Sequence, residues 1–134
     1  MKPPVMRDDL VYPELSYIIV GCAFEVWNEI GPGHSEKVYQ KAFAVMLKSK
    51  QLPFKEQVYY SLKFKEETVG RAYLDFLVDD KIVIELKKDL PFTRAHIDQV
   101  LHYLKLSKLK LALLINFTKR EVKFKRIVNM DVIS

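Results

Sequence analysis

The period of the hydrophobic positions changes twice along the chain. Leu15, Ile18, Ile19, Cys22, Ala23, Val26, Trp27 and Ile30 follow the three-then-one spacing of a single helix face. Pro13 suits the first turn of that helix. Gly31-Pro32-Gly33 ends it, because glycine accepts positive φ and proline cannot extend the ladder. A second helix is expected over about 35–52, with Val38, Tyr39, Ala42, Phe43, Val45 and Met46 facing inward. Glu36 falls in its first turn, where a carboxylate complements the helix dipole. From Pro53 the period drops to two. Strands are expected over about 56–65 and 69–78, joined at Glu66-Glu67, and over 81–87 after a turn at Asp79-Asp80. Thr93 is the expected cap of a third helix reaching about Leu106, with Ile97, Val100, Leu101 and Leu104 inward. The stretch 109–117 is nearly all apolar, as in the middle of a sheet, and 121–128 reads as a last strand. The order ααβββαββ predicts an α/β or α+β fold with a central mixed β-sheet flanked by helices.

Composition narrows the setting. With 134 residues, 49% hydrophobic and 29% charged, the chain can bury a core and is not a disordered segment. One domain over 1–134 is expected, with 1–12 as an extended N-terminal arm. The lone cysteine, Cys22, excludes an internal disulfide and a Cys-rich zinc site, and its apolar setting marks it as a small core residue. No apolar run approaches the ~18 residues of a membrane span, and no signal-peptide core follows Met1. A cytoplasmic location with no membrane partner is expected. The net charge of +5 is unevenly spread: −4 over 1–36, +3 over 37–104 and +6 over 105–134. Lys105, Lys108, Lys110, Lys119, Arg120, Lys123, Lys125 and Arg126 form either a solvated face or a surface for a polyanion.

Candidate chemistry lies in the second and third strands. Asp75 sits between Leu74 and Phe76, and Glu85 between Ile84 and Leu86. Lys87 follows Glu85 by two residues and shares its strand face. A hairpin closed by a loop at 79–81 sets Asp75 opposite Glu85, where cross-strand neighbours are ~4.5–5.5 Å apart. Carboxylates that close repel each other, and a divalent cation relieves them. Oxygen ligands favour magnesium or manganese over zinc. The plainer alternative is a salt bridge from Asp75 or Glu85 to Lys87 on a half-solvated sheet.

Asp75 followed ten residues later by Glu85-Leu86-Lys87 resembles the PD-(D/E)XK motif of restriction-endonuclease-like nucleases, with Leu74 where the motif has proline. Gly33-His34-Ser35-Glu36-Lys37-Val38-Tyr39 is similar to the Gly-x-x-Glu-x-x-Tyr signature of the GxxExxY proteins of that superfamily. Glu25-Val26, Gly31-Pro32-Gly33 and Leu113-Leu114-Ile115-Asn116-Phe117 extend the likeness. The resemblance implies a restriction-endonuclease-like core and a metal-dependent nuclease acting on DNA or RNA with Mg2+ or Mn2+. Asp75 and Glu85 would ligate the metal, Glu36 would be an auxiliary acid, and Lys87 would serve the attacking water and the phosphate. Gln99-Val100-Leu101-His102-Tyr103 matches a Gln-x-x-x-Tyr found in exonuclease-like members. Gln99, Tyr103, Tyr39 and His96 are therefore expected to bind substrate or orient the site. The alternative on the same fold is a non-catalytic nucleic-acid-binding or partner-dependent module, and a homodimer or partner protein would supply what so short a chain lacks.

Overall fold

The computed structural model describes residues 1–2 and 11–133. Most of the expected arm over 1–12 lies outside the described residues. Pro13 opens α1 (Pro13–Ile30), and Gly31, at φ 71°, ends it with its N–H on the Trp27 carbonyl. Ser35 caps α2 (Glu36–Ser49) by accepting from the Val38 N–H. Three strands follow, β1 (Phe54–Phe64), β2 (Glu67–Val78) and β3 (Ile82–Lys88). The β1–β2 turn is Lys65-Glu66, both at positive φ, so it lies one residue before the expected Glu66-Glu67. Thr93 caps α3 (Arg94–Ser107) through the His96 N–H, as expected. Strands β4 (Leu111–Phe117) and β5 (Val122–Val128) complete the sheet, and a short α4 (Met130–Ile133) ends the described chain. The four residues of α4 are too few to show a period in sequence.

The sheet order is β1-β2-β3-β4-β5. All neighbours are antiparallel except β3 and β4, which run parallel and use α3 as their crossover. The mixed sheet expected from ααβββαββ is the one observed. β4 is buried at every position, as a nearly all-apolar central strand requires, with Asn116 its one polar residue.

Two cores lie on the two faces. On one, α1 and α2 cover Phe76, Val78, Ile82, Ile84, Leu86, Leu111, Leu113, Ile115 and Phe117. On the other, α3 brings Val100 and Leu104 onto Leu74, Leu77, Val83, Ala112 and Leu114. The expected inward faces of α1 and α2 are partly corrected. Ile18, Val38 and Val45 are exposed, while Val20, Phe24, Ala44 and Leu47 are buried. Both helices pack against each other as well as the sheet, so their apolar stripes are rotated and wider than a single row. Cys22 is fully buried, and burial pushes its thiol up to about 11. Arg126 belongs to the interior more than to the basic face: its guanidinium donates to Ser16 Oγ and the Val11 carbonyl, tying β5 to α1. No helix among the described residues is long and apolar enough to cross a membrane.

Candidate active site

The β2–β3 hairpin closes over 79–81, with Asp79 and Asp80 in the left-handed region that aspartate tolerates and the Lys81 N–H on the Val78 carbonyl. The register runs Val78↔Ile82, Leu77↔Val83, Phe76↔Ile84 and then stops. The next positions in that register are Asp75 and Glu85. Their carboxylates take over from the backbone ladder. The Asp75 N–H donates to Glu85 Oε2 at 2.9 Å, and the Leu86 N–H donates to Asp75 Oδ2 at 2.8 Å. The β1 side is irregular at the same level, because the pairing skips Gln57, which sits at φ 50°. Leu74 and Phe76 belong to opposite faces although they are two apart, so the pleat breaks at Asp75.

This break gives each acid a different helper. Gln40, one turn after Glu36 on α2, donates from Nε2 to Asp75 Oδ1 at 3.2 Å. His96 on α3 places Nε2 3.1 Å from Glu85 Oε1. Burial, then the Glu85 charge, pushes the Asp75 carboxyl up to about 8, and Glu36 adds to the rise from farther off. The hydrogen bond to Glu85 raises His96 above the ordinary imidazole value. Glu85 is itself buried, at 5% exposed. Lys87 lies on the α3 side, with Nζ 5.8 Å from the centre of the Phe92 ring, and its charge is felt at His96. Among the described residues it makes no ion pair with Asp75 or Glu85, so the salt-bridge alternative does not describe this strand pair.

The remaining expected residues divide. Glu36 is exposed in the first turn of α2, on the helix side that carries Gln40. Tyr39 is 1% exposed, donates to the Gly31 carbonyl at 2.8 Å and stacks on Phe117 at 4.4 Å. It touches no solvent and acts by fixing the start of α2. Gln99 lines a cleft of about 340 Å³ between α3 and the β1–β2 ribbon, with Tyr60, Leu62, Ala72 and His102. Tyr103 packs edge-on against Tyr60. Gln99 and Tyr103 thus meet β1, and His96 alone of that stripe has a hydrogen bond to the acid pair. Gln40 was not singled out from the sequence, although its position one turn beyond Glu36 was a usable signal. Asn116, quoted from the sequence only as part of Leu113-Leu114-Ile115-Asn116-Phe117, gains a role here: its Nδ2 donates to the Leu90 carbonyl and so fixes the loop that carries Phe92 beside Lys87.

A family model described as the PD-(D/E)XK nuclease superfamily matches residues 13–127. The chain belongs to the PD-(D/E)XK nuclease superfamily. Among solved structures, the crystal structure of SSO0001 aligns with a TM-score of 0.54 at 18% identity, over 69% of this chain and 50% of that one. That likeness speaks for the fold, and the alignment spans half of SSO0001. No curated protein matches.

A divalent cation is the usual companion of PD-(D/E)XK nucleases, and the donor set here fits one. Asp75 and Glu85 offer only oxygen, and the raised Asp75 pKa, caused first by burial and then by the Glu85 charge, marks two acids held close together. Magnesium is commonly held by one or two carboxylates together with water and substrate phosphate. Among the described residues no group of three or more His, Cys, Asp or Glu encloses an ion by itself.

Proposed function

We propose that this PD-(D/E)XK chain is a divalent-metal-dependent nuclease that hydrolyses phosphodiester bonds in DNA or RNA, with Mg2+ or Mn2+ held by Asp75 and Glu85. The observation that carries the reading is the acid pair at the point where the β2–β3 ladder stops. A cation bound there supplies charge for a phosphate oxygen and acidifies water. Gln40 keeps Asp75 turned toward that position, and His96 does the same for Glu85. Glu36, whose charge is felt at Asp75 from the start of α2, would contribute through water. Lys87 stands two residues beyond Glu85 and offsets charge that develops on the phosphate. We read 1–134 as one such domain of a cytoplasmic protein, and Gly33, Glu36 and Tyr39 support a likeness to the GxxExxY proteins.

One observation favours a second reading. All four carboxylate oxygens of Asp75 and Glu85 already have protein donors or His96 beside them. A site so satisfied suits a nucleic-acid-binding module whose chemistry waits on a partner. Incubation of single- and double-stranded DNA and RNA with Mg2+ or Mn2+ separates the two. Cleavage that disappears in Asp75→Ala and Glu85→Ala supports the nuclease. Cleavage that survives in both variants, or salt-dependent binding without cleavage under either ion, rejects it.

A further inference from the structure

The β1–β2 hairpin runs past the rest of the sheet. β2 pairs with β3 only over three positions, Phe76, Leu77 and Val78, yet it pairs with β1 from Glu67 onward. Its outer part is therefore a two-stranded ribbon with two distinct faces. Tyr60 and Ala72, directly paired, look toward α3, where Tyr60 meets His102 and Tyr103. The opposite face starts with the directly paired Tyr59 and Tyr73, whose ring centres are 5.5 Å apart with planes at 59°. Those side chains are 50% and 60% exposed, which is a large aromatic area to leave in water. Strand alternation puts Ser61 and Lys63 next on that face, while Arg71, paired with Ser61, lines the cleft against α3. Lys63 has no ion-pair partner among the described residues.

This face leads to the acid pair. Tyr73 precedes Asp75 by two strand residues, a span of ~7 Å. That is about the phosphate-to-phosphate step of an extended nucleic-acid strand. Tyr73 points away from α3, and Asp75 is held by Gln40 from the α2 side, so both address the same space. Aromatic rings bind bases by stacking without regard to sequence, but only bases whose faces are free. Bases stacked within a duplex hide those faces. The cation farther along this face, Lys63, suits the phosphates of a strand laid along it.

We propose that Tyr59 and Tyr73 form a stacking platform for unpaired bases beside the scissile phosphate, which makes single-stranded nucleic acid the substrate class. The proposal rests on the nuclease reading of Asp75 and Glu85. Its test is fluorescence anisotropy in EDTA with a short labelled single strand and the matching duplex, on the wild type and on Tyr59→Ala, Tyr73→Ala and Tyr73→Phe. The wild type should prefer the single strand. Each alanine variant should weaken single-strand binding about tenfold, while Tyr73→Phe, which keeps the ring, should retain it. Single-strand binding unchanged in both alanine variants overturns the platform. So does an equal loss for single strand and duplex, or a loss of self-association with binding intact. The two readings fail separately. Tyrosine-dependent single-strand binding with no cleavage under any divalent ion removes the nuclease and leaves the platform. Duplex cleavage that ignores both tyrosines leaves the nuclease and removes the platform.

Discussion

The two ladders that flank β3 differ in length and in what ends them. Toward β4 the pairing is continuous over seven positions, Ile82 to Lys88, and every β4 residue is buried. Toward β2 it lasts three positions and is then replaced by carboxylate-to-backbone hydrogen bonds at Asp75 and Glu85. The same strand therefore has a closed edge and an edge that opens partway. On the closed edge each backbone group has a strand partner and the side chains supply apolar area. On the open edge the backbone N–H groups of Asp75 and Leu86 donate to side-chain carboxylates, and this holds two acids together at a cost in repulsion. The closed ladder should carry stability and the open one chemistry.

Paired substitutions break that comparison most sharply. Phe117→Ala on the closed side removes a fully packed ring that stacks on Tyr39. A loss of about 3–5 kcal/mol is expected, or a fall in Tm of roughly 10–25 °C, with the remaining folded protein still able to cleave. Asp75→Asn on the open side keeps an acceptor for the Leu86 N–H, and Gln40 can turn its amide to meet the new one. Cleavage should vanish while the metal-free Tm stays level or rises. Thermal denaturation and a cleavage assay on both variants check this. A fall in Tm for Asp75→Asn as large as that for Phe117→Ala would contradict the division.

A smaller effect, but one with a definite sign, is expected from pH. Burial and the Glu85 charge hold the Asp75 proton in the folded chain up to about pH 8, against 3.8 when free. The folded state then binds a proton that the unfolded chain has released. This contribution is complete below about pH 4 and is lost as pH rises through about 8. His96 adds the same sign: its folded pKa is raised above 6.5 by Glu85, so its stabilisation is present below 6.5 and is lost on passing the raised value. Metal-free Tm should decline from about pH 5 to about pH 9, and Asp75→Asn should remove most of the decline. Mn2+ needs the deprotonated pair, so its stabilisation should grow over the same window, reaching about 2.7 kcal/mol at a hundredfold excess over Kd. A metal-free Tm that climbs across this window would show that the pair is not strained.

The closed half was easy to read in sequence and the open half only in outline. Alternation and apolar runs located the five strands and three long helices, because periodicity reports burial and these elements are set by burial. Asp75 and Glu85 stood out as charges among aliphatics, and the loop length gave their opposition directly. What periodicity cannot report is a break in itself. Nothing in Leu74-Asp75-Phe76 announces that the pleat changes face there, since that depends on α2 and α3 gripping opposite sides. Gln40 was hidden for the same reason, and the partner of His96 was hidden too, although the Gln-x-x-x-Tyr likeness already put His96 among the expected orienting residues. One looks like a solvated helix residue and the other like a satisfied histidine, and each gains its role from a strand distant in sequence. Arg126 shows the converse: counted with the basic face, it is spent on Ser16 and Val11 inside the fold.

The smallest expected effect separates the two arms that steady the open edge. Gln40 reaches Asp75 from α2, and His96 reaches Glu85 from α3. Neither is expected to bind the cation, so removing one should leave the ligands present but less well aimed. Gln40→Ala and His96→Ala should each weaken Mn2+ binding about 10–100-fold. The metal-free Tm should change little in Gln40→Ala, because a single hydrogen bond contributes only about 0.5–1.5 kcal/mol net, and should fall somewhat more in His96→Ala, which leaves the buried Glu85 carboxylate without its partner. Both arms hold one pair of acids, which are themselves linked through the Asp75 N–H. The double variant should therefore lose less than the sum of the two free-energy losses. Calorimetric titration of Mn2+ into the four proteins measures all three terms. Strict additivity would mean that Asp75 and Glu85 are positioned independently. The ladder replacement at the end of β2 would then be a packing detail and not the device that builds the site.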